Sequence, residues 1–174
     1  MSSPSVTLIT GGCRSGKSRR ALMLAASYRH PVFLATAEAG DDEMRARIAK
    51  HRAERSAAFK TVEEPLAPAA VFSSLPDGTD LVLVDCITVW LSNLIHHYRE
   101  EAGERLEIKD FLQLLKTPPC DVILVTNETG TGIVPMNPVA RQFRDLAGFV
   151  NQKLAACADN VEMTVCGISM QLKG

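Results

Sequence analysis

The 174-residue sequence lacks most of the features that would place it in a specialised class. It has no broad basic field: 19 Lys and Arg against 20 Asp and Glu leave a formal net charge of −1. With a pI near 6.4, a dedicated nucleic-acid binder is not expected. No run approaches the roughly eighteen apolar residues needed to span a bilayer. The opening MSSPSVTLITGG has neither a charged leader nor a long apolar stretch, so no secretory signal is expected. Five cysteines (Cys13, Cys86, Cys120, Cys157 and Cys166) are odd in number, scattered and free of any C-x-x-C pair. They read as reduced thiols, not as a disulfide framework. No His/Cys cluster has zinc-ligand spacing. Internal repeats and low-complexity linkers are missing too. These absences leave one ordinary cytoplasmic domain over residues 1–174, 46% hydrophobic and 22% charged, long enough to bury a proper core.

What is present is a recurring pair: a short apolar run, then an amphipathic segment. VTLIT (6–10), VFLAT (32–36), LVLVDC (81–86), VILVTN (122–127) and EMTVCGI (162–168) are mostly apolar and rich in β-branched residues. Such continuous runs suit strands buried on both faces of a parallel sheet. FKTVEE (59–64) is a weaker candidate for the same role. Helical patterns run from Lys17 to Tyr28, Asp41 to Ser56, Ile87 to Tyr98, Leu106 to Lys116 and Pro138 to Ala156. The alternation predicts an α/β fold with right-handed crossovers and helices on both faces of a mostly parallel central sheet. Ligands in such folds bind beyond the carboxyl ends of the strands. The residues after each run, 11–18, 35–42, 63–65, 85–88 and 127–135, are therefore the candidates for function.

Gly11-Gly12-Cys13-Arg14-Ser15-Gly16-Lys17-Ser18 fits the phosphate-loop pattern G-x-x-x-x-G-K-[ST] without a mismatch. Its glycines let successive backbone N–H groups turn inward around phosphate oxygens, and the helix that follows adds its positive end. Lys17 would neutralise β- and γ-oxygens, and the Ser18 hydroxyl would ligate Mg²⁺. Asp85 closes the run LVLVD. There it could hold Mg²⁺ through water or take a proton from an attacking hydroxyl, and the pattern DCIT could equally make it a helix N-cap. The only metal inferred is nucleotide-bound Mg²⁺.

A GTP-binding switch would carry an N-K-x-D-like element after a late strand, where this chain reads VTNETGTG. Motor ATPases usually need more chain and an identifiable arginine finger. A small-molecule kinase fits the length. DDEMRARIAKHRAERS adds something else. Met44, Ile48 and His51 fall at i, i+4 and i+7, with Arg47, Arg52, Glu54 and Arg55 close by. A histidine on such a face is usually structural or at the surface. Yet neutral imidazole is a competent nucleophile at phosphorus, and flanking arginines would stabilise the transferring group. His96 and His97 sit late in an apolar helix, where positive charge is favoured, and His30 precedes a proline. The strand end Asn127-Glu128 and the loop 129–135 would border an acceptor or a neighbouring subunit.

GGCRSGKSRRAL, DDEMRARIAKHRAERS, DCITVWLSNL, VTNETGTGIVP and ARQFRDLAGFVNQKLA stand in an order and spacing that resemble the bifunctional adenosylcobinamide kinase/adenosylcobinamide-phosphate guanylyltransferase family of cobalamin biosynthesis. The resemblance covers about residues 6–172. It implies a RecA-like P-loop NTPase fold, commonly a trimer. It also implies phosphorylation of the aminopropanol hydroxyl of adenosylcobinamide by ATP or GTP, then transfer of GMP from GTP to that phosphate through a guanylylated histidine. His51 matches that histidine, and Lys17 and Asp85 would share the catalysis. The resemblance places residues 11–18, Ala35, Thr36, Ala37, Arg52, Ala53, Glu54, Arg55, Glu63 and Asp85 on the nucleotide. Lys50 stands where some members have a second histidine, and the segment between His97 and Leu106 is short. Two other readings stay open: a P-loop kinase of another small alcohol or nucleotide, with His51 structural, and a nucleotide-binding regulator without transfer chemistry.

Overall fold

In a computed structural model, residues 3–40, 42, 45, 46, 49, 52, 58–98 and 105–174 are described. The elements run β1 (Val6–Thr10), α1 (Lys17–Ala25), β2 (Pro31–Ala35), β3 (Lys60–Glu63), α2 (Pro68–Val71) with a 3₁₀ turn (Phe72–Ser74), β4 (Leu81–Asp85), α3 (Ile87–Tyr98), α4 (Leu106–Leu114), β5 (Asp121–Val125), α5 (Pro138–Cys157), β6 (Asn160–Val165) and β7 (Ile168–Lys173). Of the predicted helix 41–56, positions 42, 45, 46, 49 and 52 are described and are helical. His51 lies outside the described residues, as do Ala53, Glu54 and Arg55.

The strands form one sheet in the order β3-β2-β4-β5-β1-β6-β7. Every neighbouring pair is parallel except β6 and β7. The apolar runs predict this, because a strand between two helical layers needs apolar residues at both parities. Val6, Leu8, Val82, Val84, Val122 and Leu124 pack on one face against Trp90, Leu94, Phe111, Val150 and Leu154 of α3, α4 and α5. Ile9, Leu81, Leu83, Ile123 and Val125 pack on the other face against Ala21 and Ala25 of α1. Leu81 to Val84 are fully buried. Truncating Leu83 to Ala would therefore cost about 2–5 kcal/mol. Trp90 stacks edge-on against Phe111 at 5.2 Å, and its indole N–H donates to the Leu66 carbonyl at 2.8 Å.

The structure corrects the C-terminal run. EMTVCGI is not one strand: β6 ends at Val165, and the chain turns back at Cys166-Gly167 into β7. Both turn residues have positive φ (52° and 81°), the backbone signature of a tight hairpin whose twist matches its strands. The short helix α2 also goes beyond the sequence patterns, since four residues are too few to show a helical period.

Candidate functional site

The parallel order brings the carboxyl ends of β1, β5, β4 and β2 side by side. With neighbouring strands about 4.8 Å apart, β1 and β4 lie about 10 Å from each other, with β5 between them. The phosphate loop leaves β1 and Asp85 ends β4. Residues 126–128 follow β5 in the gap.

The loop is shaped by close approaches that only glycine allows. Gly11 has φ +147°, and a Cβ there would sit 2.3 Å from the Thr164 carbonyl oxygen and 2.9 Å from Ser15 Oγ. Gly16 has φ +104° and lies against Gly167, 3.1 Å from where its Cβ would be. The Gly167 N–H donates to the Ser15 carbonyl at 2.8 Å. The loop thus rests on the β6–β7 hairpin, a support that the sequence reading missed. The Cys166-Gly167 pair followed by alternating ISMQLK was the signal for it. Helix α1 starts directly after Gly16 without a side-chain cap, leaving its first-turn N–H groups to the loop side. Lys17 is buried and its ammonium donates to the Gly12 carbonyl at 2.5 Å. Ser18 is half-buried beside it, while Gly12, Cys13 and Arg14 are exposed. The Ser15 hydroxyl is buried with no hydrogen-bond partner among the described residues.

Asp85 is half-buried at the end of β4. Burial, then the Asp85 carboxylate, push the neighbouring Cys86 thiol above its ordinary range, with Lys17 among the opposing influences. Lys17 and Asp85 thus both act on the Cys86 thiol. Thr36 is fully buried beside Asp85, whose carbonyl accepts from its N–H at 3.4 Å. Its hydroxyl donates to the Cys86 carbonyl (2.8 Å) and accepts from the Cys86 N–H (3.0 Å), and its carbonyl accepts from Asn93 Nδ2 (2.7 Å). These bonds staple the end of β2 to that of β4, flanked by buried Ala35 and half-buried Ala37. Glu63 ends β3 farther along the sheet, where it is ion-paired with Arg52.

Beyond β5, Thr126 Oγ1 donates to Asn151 Oδ1 (2.7 Å), and Asn151 Nδ2 donates to the Asn127 carbonyl (3.1 Å). Asn127 Nδ2 donates to Thr88 Oγ1 (2.7 Å), which contacts Cys86 Sγ at 3.3 Å. The Glu128 N–H donates to the Gly11 carbonyl at 3.0 Å. Residues 127 and 128 thus join the phosphate loop to the first turn of α3. Asn93 and Asn151, which read as ordinary polar helix positions, are the ties that patterning could not reveal. His97, one turn beyond Asn93, pairs with Glu38 at 3.1 Å.

The donor set suits Mg²⁺: Ser18 and Asp85 offer oxygen only, and this ion keeps several waters and takes phosphate oxygens for the rest. No cluster of three His, Cys, Asp or Glu side chains that could hold a metal occurs among the described residues.

The profile of the family described as "Cobinamide kinase / cobinamide phosphate guanyltransferase" matches residues 7–172. The chain is 46% identical over 170 residues to the bifunctional adenosylcobalamin biosynthesis protein CobP of Pseudomonas aeruginosa, covering 96% of each. It is 42% identical over 180 residues to the corresponding protein CobU of Salmonella typhimurium, covering 95% of this chain and 98% of the relative. In fold it is similar to the RadB recombinase, with a TM-score of 0.53 at 20% identity, over 92% of this chain and 74% of that one.

Proposed function

The chain belongs to the cobinamide kinase/cobinamide phosphate guanyltransferase family, and we propose that a single nucleotide site on its phosphate loop serves both of that family's transfers. It is a bifunctional enzyme of adenosylcobalamin biosynthesis, a P-loop α/β protein with kinase and guanylyltransferase activities. The observation that carries the one-site reading is the run of contacts from the phosphate loop to the end of β4: Glu128 N–H to the Gly11 carbonyl, Asn127 Nδ2 to Thr88 Oγ1, and Thr88 Oγ1 to Sγ of Cys86, the residue after Asp85.

In the kinase step, loop N–H groups and Lys17 hold the β- and γ-phosphates of ATP or GTP. Asp85 takes the proton of the aminopropanol hydroxyl as its oxygen bonds the γ-phosphorus, and the nucleoside diphosphate leaves. Ser18 and Asp85 would hold Mg²⁺, which would supply charge neutralisation at the phosphates. Most of the acceleration comes from positioning and charge neutralisation.

In the second step His51 attacks the α-phosphorus of GTP and pyrophosphate leaves. An oxygen of the acceptor phosphate then bonds that phosphorus, the N–P bond breaks, and adenosylcobinamide-GDP is released. Arg52, with Arg55 in the same segment, stabilises charge on the transferring group. Two displacements suit a weak anionic acceptor, because each needs only one partner aligned. A homotrimer in the cytoplasm is the setting the family resemblance implies. Among the described residues no helix is long and apolar enough to cross a membrane.

The test uses α-labelled GTP with Mg²⁺. The expected product is an acid-labile, alkali-stable protein label that His51→Ala cannot form while Lys17 is intact. A label that survives this substitution, or none in the unaltered chain, sinks the guanylyl-histidine route. The kinase half is read separately as γ-phosphate transfer to cobinamide, abolished in Lys17→Ala.

A further inference from the structure

Between α3 and the start of α5 lies an open groove of about 280 Å³, lined by Ser92, Ile95, Asn137, Val139, Ala140 and Phe143. Its α3 wall continues the reaction site. Thr88, Ser92 and Ile95 stand at i, i+4 and i+7 and share one face of that helix. Thr88 is the residue tied to Asn127 and Cys86 next to Asp85. At 1.5 Å per residue the face runs about 10 Å from the site into the groove. The segment that leads in sequence to its Asn137 wall is apolar and exposed: Ile133 is 96% exposed and Met136 95%, with Val134 and the lining residue Val139 more than half exposed. This segment is fixed in place, since Arg141 donates to the Pro135 and Met136 carbonyls (3.0 and 2.6 Å) and Asn137 Oδ1 caps α5.

The α5 wall carries a cation between groove and site. Ala140, Arg144 and Asn151 fall four and seven residues apart, on one helix face. Ala140 lines the groove, and Asn151 holds Thr126 and Asn127. Arg144 is half-buried, and its Nη1 is wholly buried without a hydrogen-bond partner among the described residues. A long side chain on a helix leans toward the N-terminal end, here toward Ala140 and the groove. A buried guanidinium N–H left unpaired is costly unless an anion meets it, and the planar fork matches phosphate.

We infer that this groove and Arg144 form the acceptor subsite: the groove takes an apolar edge of the corrinoid, and Arg144 takes the phosphate of the phosphorylated acceptor. The inference rests on the proposed function and deepens it by assigning the residue that tells cobinamide phosphate from cobinamide. The two acceptors differ by one dianionic group, and one cation suffices to separate them.

Equilibrium dialysis of the full chain with cobinamide and with cobinamide phosphate, read by corrin absorbance at saturating GTP analogue, tests this. Arg144→Gln is expected to weaken cobinamide phosphate roughly ten- to hundred-fold, the loss of a charge-assisted bond, with cobinamide changed less than about two-fold. Arg144→Lys restores part of that difference. Val139→Asn, an uncharged polar change at an exposed lining position, weakens both ligands alike. Labelling of the protein by α-labelled GTP is unchanged in all three. Equal weakening of both ligands by Arg144→Gln, or no weakening of either, overturns the inference, as does unaltered binding in Val139→Asn. If the unaltered chain binds GTP but neither corrinoid, the proposed function falls with it. Corrinoid binding with unchanged discrimination in Arg144→Gln removes this inference alone.

Discussion

Replacing Gly11 by alanine tests how the phosphate loop is held. The added methyl would sit 2.3 Å from the Thr164 carbonyl oxygen and 2.9 Å from Ser15 Oγ. Neither side can recede easily. Thr164 is buried in β6, whose preceding residue Met163 is in register with Thr10, and the Gly11 carbonyl is tied to the Glu128 N–H. Overpacking of this kind costs about 1–3 kcal/mol. Forcing a side chain onto φ +147° adds about 1–3 kcal/mol more. A total of about 2–6 kcal/mol is a large share of the roughly 5–15 kcal/mol by which domains are stable. At about 2–4 °C per kcal/mol for a chain of this size, Tm should fall by about 5–20 °C. Gly148→Ala is the matching control: nothing lies within 4 Å of its added Cβ, and it stands inside helix α5. It should raise stability by about 0.5–1 kcal/mol. Calorimetry gives both values, and a fluorescent GTP analogue reports the loop. A Gly11→Ala chain that melts with the unaltered one and binds nucleotide equally would refute this account of the loop.

Three further substitutions separate structure from chemistry. Glu162 accepts two hydrogen bonds from Arg20 at 2.7 and 2.8 Å, and the first of its causes, that hydrogen bonding, holds its carboxyl below the ordinary range. Its contribution is therefore present above the unfolded carboxylate pKa and fades as pH falls through the depressed value. Glu162→Gln should lose about 1–3 kcal/mol near neutrality, discounted because Arg20 is a third exposed, and should converge with the unaltered chain in acid melts. Asn127→Ala removes the donor to Thr88, so kcat for phosphoryl transfer should fall while the nucleotide KM holds, as steady-state kinetics would show. The Arg52–Glu63 pair is half exposed on both sides. Arg52→Ala should therefore change stability by less than about 1 kcal/mol in a urea melt and yet slow labelling by α-labelled GTP.

The sheet and the nucleotide grip were legible because both rest on local pattern. Continuous apolar runs report strands buried on both faces, and the phosphate loop is one uninterrupted motif. The place of Asp85 at the end of β4 was legible too, as the first polar residue after such a run. Strand β7 was not. Its one signal, the alternation ISMQLK after Cys166-Gly167, marks no buried face because Ile168, Met170 and Leu172 are all exposed, so the run reads as a single strand until the positive φ values of the turn are seen. The staples were hidden for a different reason. Asn93 meets Thr36 across 57 residues of sequence and Asn151 meets Asn127 across 24, so their roles arise only when packing brings the elements together. Arg144 belongs to the same group, as an arginine on a helix that reads as solvated until one of its nitrogens proves buried.

The positions of these contacts explain how one grip can serve two phosphorus atoms. Strand β5 pairs with β1 on one side and β4 on the other, so Asn127 and Glu128 bind loop and carboxylate into one unit. The hairpin braces the loop from the far side through Gly167. A triphosphate on such a unit presents its γ- and α-phosphorus at fixed places. On the proposed function, the choice of reaction would then fall to the groups brought to each: an acceptor hydroxyl beside Asp85 for the γ-phosphorus, and His51 for the α-phosphorus. Arg52, the described residue beside His51 in sequence, pairs with Glu63 at the end of β3, four strands from β1 and about 19 Å away. A substitution in this exposed pair and one in the phosphate loop should therefore add in their effects on folding stability.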